Sequence, residues 1–72
     1  MAQLPLISGR EVVGKFEKLG WQIARSGNHI ILVKEGARAS LSVPDHKEVA
    51  RGTLRSLIRA AGLTVEEFIR DT

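Results

Sequence analysis

Two histidines, His29 and His46, are the only imidazoles in this chain of 72 residues. A neutral imidazole accepts and returns a proton near pH 7, so each is a candidate general acid or base. His29 follows Ser26-Gly27-Asn28, a run with turn chemistry. A serine–histidine–acid arrangement is not evident, because Ser26 is close in sequence but that loop carries no carboxylate. The two histidines could work as an acid–base pair, although nothing in the sequence brings them together. Cysteine is absent, which excludes disulfides and thiolate metal ligands. Two histidines cannot build a histidine-rich cage, and no clustered Asp/Glu pattern supports a divalent cation. Neither a metal nor a small-molecule cofactor is expected.

Lys47, Arg51, Arg55 and Arg59 recur every four residues. Gly52 and Thr53 read as the opening of a helix, with Lys47 and Arg51 on the loop leading into it. The backbone amides of Gly52, Thr53 and Leu54, together with the positive end of the helix dipole, would suit a phosphate. Lys47, Arg51, Gly52, Thr53 and Arg55 are therefore candidate nucleic-acid contacts, and Ser26, Gly27 and Asn28 join them beside His29. Arg59 reads as an ordinary solvated charge. Trp21, Phe16 and Phe68 all occupy core or staple positions, which argues against base stacking on an aromatic platform.

The elements that must position these residues have clear boundaries. Ser8 and Glu11 form a capping box before Val12, Phe16 and Leu19, and Gly20 is the expected stop, which places a helix over Gly9 to Leu19. Residues 21–25 and 29–34 then read as two strands of a hairpin. A third strand, Ala39 to Val43, ends at Pro44. Leu54, Leu57, Ile58 and Ala61 give a second amphipathic helix, which Gly62 stops. Thr64 and Glu67 cap a short terminal helix. The order is α-β-β-β-α-α, an α+β fold with helices on one face of a three-stranded antiparallel sheet.

If Gly27 and Asn28 make a two-residue turn, Ser26 pairs with His29 and Ile23 with Leu32. Trp21, Ile23, Ile30 and Leu32 then lie under the helices. Gln22, Ala24, Ser26, His29, Ile31 and Val33 face the other way, with Arg38, Ser40 and Ser42 beside them. One extra loop residue would reverse His29.

Length and composition set the outer bounds. Seventy-two residues suit one domain over positions 1–72, and an apolar fraction of 43% supports folding. Eleven basic against eight acidic residues leave +3, a weak lean toward anionic partners. The segment Met1 to Ile7 carries no basic residue and its apolar run is too short for a signal peptide. No apolar stretch is long enough to span a membrane, so a cytoplasmic address is expected.

An ordered set of motifs resembles the HicA-type (YcfA-like) toxins of bacterial toxin–antitoxin pairs. It comprises Ser8-Gly9-Arg10-Glu11-Val12-Val13, Leu19-Gly20-Trp21, Gly27-Asn28-His29, Val43-Pro44-Asp45-His46-Lys47, Gly52-Thr53-Leu54-Arg55-Ser56 and Ala61-Gly62-Leu63. The resemblance runs from about Ser8 to Phe68. It implies a double-stranded-RNA-binding-domain-like fold, a ribosome-independent endoribonuclease acting on single-stranded or structured mRNA, and a HicB-like antitoxin. The family's essential histidine, in its Gly-Ser-His motif, falls on His29. That histidine would act on the ribose 2′-OH or the leaving 5′-oxygen, with no metal required. Asn28 stands where serine is usual, and asparagine keeps the turn propensity. A non-catalytic RNA-binding domain and a protein-interaction module, the latter suggested by Ile31 and Val33 on an uncovered face, remain alternatives from the residues alone.

Overall fold

Capping and glycine stops account for most of the element boundaries. A computed structural model describes residues 4–70; positions 1–3 and 71–72, including the start of the N-terminal run, lie outside the described residues. The elements are α1 (Gly9–Lys18), β1 (Gln22–Arg25), β2 (His29–Val33), β3 (Leu41–Pro44), α2 (Arg51–Ala60) and α3 (Val65–Arg70). The expected α-β-β-β-α order with a short C-terminal helix is present. At α1, the Glu11 amide donates to Ser8 Oγ at 3.1 Å and the Ser8 amide donates to Glu11 Oε1 at 3.2 Å, completing the capping box. Gly20 ends the helix in the left-handed region with φ of 100°. Gly62, with φ of 77°, does the same after α2.

At α3 the Thr64 amide donates to Glu67 Oε1 at 2.9 Å, and the Glu67 amide donates to Thr64 Oγ1 at 3.1 Å. These bonds, the backbone one first, hold the Glu67 carboxyl below its usual range, and Arg70 adds to the effect. A depressed folded value means the stabilisation is fully present above the unfolded value, about pH 4.3, and is lost as pH falls through the folded one. The Glu67→Gln variant is therefore expected to lose less thermal stability than wild type between pH 6 and 3, measured by circular dichroism.

The sheet runs in the order β1-β2-β3, all antiparallel. Ile30 and Leu32 of β2, with Leu41 and Val43 of β3, are buried against Val12, Phe16, Leu54 and Ile58 of the helices. Both helices thus cover one face, and the other stays open. Phe16 packs with Trp21 (centroids 6.2 Å apart) and Phe68 (5.1 Å) inside this core. All three aromatics are therefore committed to packing, as their positions in the sequence suggested.

The structure corrects several local expectations. β3 begins at Leu41 and includes Pro44; Ala39 and Ser40 remain in the preceding connection, where Gly36 turns the chain with φ of 88°. Pro44 is tolerated because it stands opposite His29, between hydrogen-bonded pairs, where no N–H is needed. In β1 the pairing steps from Ile23↔Leu32 to Arg25↔Ile31, so Ala24 is an extra, bulged residue. Ile23 stays on the helix side but is 48% exposed, because β1 is an edge strand that the helices do not fully roof.

Candidate active site on the open sheet face

His29 is placed by the alternation of its own strand. With Ile30 and Leu32 in the core, His29, Ile31 and Val33 must project to the open face. His29 is exposed there, as are Val33 and Ser42, with Ile31 half-buried between neighbouring strands. This orientation is the expected one. The expected pairing of Ser26 with His29 is not made. The bulge at Ala24 shifts the parity of everything after it, and Ser26 and Gly27 line a groove of about 480 Å³ on the α1 side with Arg10, Val13, Ile23 and Asp45. Ser26 therefore lies on the opposite side of the sheet from the His29 imidazole. Arg25, opposite Ile31, moves to the open face by the same shift.

The far end of β2 is fixed from two directions. The Asp45 amide donates to the Asn28 carbonyl at 3.1 Å, which carries the β2–β3 ladder one pair past His29↔Pro44. Gly9, the first residue of α1, donates its amide to the His46 carbonyl at 2.9 Å. Arg10 Nε stands 3.7 Å from Asp45 Oδ1, and both are solvent-accessible, so the ion pair adds little by itself. The close approach at Gly9 is more consequential. A Cβ there would lie 2.1 Å from the Pro44 carbonyl oxygen, so no other residue fits without moving backbone.

The basic row is differently placed. α2 starts at Arg51, not Gly52, so Arg51 is a helical residue and only Lys47 lies on the preceding loop. The Leu54 amide donates to the Ala50 carbonyl at 2.9 Å. The amides left without an intrahelical acceptor are thus those of Arg51, Gly52 and Thr53, and the Ala50 N-cap supplies no side-chain bond. Arg51 Nε donates to the Leu4 carbonyl at 2.7 Å, which commits part of that guanidinium to holding the N-terminal segment. Lys47, Gly52, Thr53 and Arg55 are exposed. α2 lies over the covered face and His29 on the open one, so the two sets of candidate contacts belong to different faces of the sheet.

Among the described residues, no three His, Asp or Glu side chains gather into a metal-ligating cluster. No helix of the described residues is long and apolar enough to cross a membrane. Two contributors escaped reading of the sequence: the Arg10–Asp45 pair and the packing role of Gly9. Glycine at the first helical position of an otherwise strong capping box was the one available signal for the latter, since that position favours other residues.

The chain is thus a half-roofed α+β domain with a solvent-facing histidine at a braced hairpin end. The family profile described as the HicA toxin of bacterial toxin–antitoxin systems matches residues 9–63, and the chain belongs to that family. Such a toxin has a cognate antitoxin as its partner. No curated protein matches the chain.

Proposed function

We propose that this chain is a ribosome-independent endoribonuclease that cleaves mRNA in the cytoplasm, with His29 as the catalytic residue and a HicB-like antitoxin as its inhibitor. The observation that carries the reading is the exposure of His29 on the open face, at a strand end braced by Asn28 and Pro44, in a member of the HicA family. The ribose 2′-OH attacks the adjacent phosphorus, His29 moves a proton in that step, and no metal or covalent enzyme intermediate is required. Lys47, Gly52, Thr53 and Arg55, with the remaining donors of Arg51, hold phosphates that follow the chain around the end of β3. Gly27 and Asn28 shape the turn against which the scissile nucleotide rests, and Ser26 reaches RNA only from the groove side.

The test is incubation of purified protein with RNA in the absence of ribosomes. Products bearing new 5′-OH ends are expected. Salt-sensitive retention of RNA without any cleavage would instead make it a non-catalytic binding domain. The phosphate assignment has its own readout. Lys47→Ala and Arg55→Ala are each expected to reduce the slope of log affinity against log salt by about 1. An unchanged slope in filter-binding titrations would remove that residue from the interface.

The same face supports the mode of inhibition. Val33 is 40% exposed, and Ile31 beside it is only half-buried. An antitoxin that buried this apolar strip would cover His29 in the same act.

A further inference from the structure

We infer that the groove on the α1 side of the sheet is a base-binding subsite that selects guanine in the RNA strand near the scissile bond. The inference rests on the ribonuclease reading and adds to it a base that such an enzyme would select.

Three aliphatic side chains make the wall of this groove. Val13 comes from α1, Ile23 from β1 and Ile30 from β2, around a space of about 480 Å³. That volume is within the range of small-ligand sites, about 300–1,000 Å³. Ile23 is 48% exposed on the side of the sheet that the helices otherwise cover. A planar ring laid against it would complete that cover. Phe16, Trp21 and Phe68 are committed to the core, so an aliphatic wall stands in for an aromatic platform.

The polar groups choose the ring. Arg10, Glu17 and Asp45 line the groove, one cation against two carboxylates, which disfavours a phosphate and favours an occupant rich in N–H donors. Arg10 Nε stands 3.7 Å from Asp45 Oδ1, too far for a hydrogen bond, so both keep bonding capacity for a ligand. The Asp45 side chain is 33% exposed and that of Arg10 83%, which sets the carboxylate deeper and the guanidinium at the rim. Among the four bases only guanine carries N–H donors on two adjacent positions, N1 and N2, with the O6 acceptor beside them. A carboxylate accepts both donors at once, and a neighbouring guanidinium donates to O6. Asp45 and Arg10 supply that pair.

The chain itself keeps the groove close to His29. Gly27 lines it and His29 is two residues further on, which holds their Cα atoms within about 7 Å. On the neighbouring strand the Asp45 amide bonds the Asn28 carbonyl at 3.1 Å, and Pro44, one residue earlier, pairs with His29. RNA passing His29 on the open face has only the end of the β1–β2 turn to cross before a base enters the groove. Single-stranded RNA is read in this way, by unstacked bases bound on their Watson–Crick edges.

The experiment is a methyl NMR titration with 2′-O-methyl oligoribonucleotides, which lack the 2′-OH needed for cleavage. One oligomer carries a single guanosine in a uridine background, a second has inosine in its place, and a third is uridine throughout. The guanosine oligomer should shift the methyl signals of Val13, Ile23 and Ile30. It should bind about 10-fold or more tightly than the inosine oligomer, which lacks the N2 amine. Asp45→Asn should bring these two affinities together and keep the wild-type urea midpoint, because the bond from its backbone amide to Asn28 is retained. Groove methyls that do not move, or equal wild-type affinities for the three oligomers, overturn the inference. So does a preference for guanosine that survives in Asp45→Asn. Groove signals that move with purified antitoxin and with none of the oligomers overturn it as well, giving the groove to a basic side chain of the inhibitor. The ribonuclease reading fails separately, when unmodified RNA yields no new 5′-OH ends, and that result leaves a guanine-selective groove in place.

Discussion

His29→Ala is expected to lower RNA cleavage by about 10²- to 10⁴-fold, the range for removal of a positioned acid or base. The fold should survive the change. His29 is exposed, it lies outside the core cluster, and its strand neighbours Ile30 and Leu32 keep their burial. A surface substitution of this kind shifts stability by no more than about 0.5 kcal/mol, so the lost rate cannot be assigned to unfolded protein. The paired measurement is an initial cleavage rate and a urea midpoint on the same preparation. A variant with both values unchanged would remove His29 from the chemistry. The variant is further expected to retain the antitoxin, because Ile31 and Val33 still present the apolar strip. Growth arrest should be lost with cleavage while co-purification persists. Loss of both together would mean that the imidazole is itself a main contact of the inhibitor.

The orientation of His29 held although the hairpin pairing used to derive it did not, because it depends on β2 alone. Ile30 and Leu32 fall two apart in a run of five residues, and burying them leaves His29 no other side. The helices were legible for a similar reason: Ser8–Glu11, Thr64–Glu67, Gly20 and Gly62 act through bonds and dihedrals spanning a few neighbouring residues. What failed depended on contacts distant in sequence. The bulge at Ala24 has no glycine to announce it, and it arises where an edge strand must fit both its partner and the start of a turn. Through that one residue Ser26 changed sides, and a serine expected to pair with His29 lines a groove instead. Ile23 reads as a core residue by alternation, but burial also requires a roof, and α1 does not extend over the edge. The start of α2 was displaced for want of a capping side chain: Ala50 gives no signal, and Gly52 was the first recognisable mark.

Gly9→Ala is expected to destabilise the protein by about 1–3 kcal/mol, the usual cost of forcing extra volume into a packed site. Helix propensity alone predicts the opposite sign, a gain of about 0.5–1 kcal/mol for alanine over glycine. The clash decides between them. The new Cβ would meet the Pro44 carbonyl oxygen at 2.1 Å, the Pro44 carbonyl carbon at 3.0 Å and the Asp45 Cα at 3.1 Å. All three are backbone atoms, so no rotamer change relieves the contact. Relief requires α1 to separate from the β3–α2 connection, which breaks the bond from the Gly9 amide to the His46 carbonyl. Gly14 supplies the control within the same helix. Nothing lies within 4 Å of a Cβ built there, so Gly14→Ala should show the propensity gain. Opposite shifts of the urea midpoint for the two variants would isolate the packing term; a stabilising Gly9→Ala would show that the helix and the connection part at little cost. The same contact ties stability to chemistry. It holds the Pro44–His46 segment against the end of β2, so Gly9→Ala should also slow cleavage at temperatures where it is still folded, whereas Gly14→Ala should not.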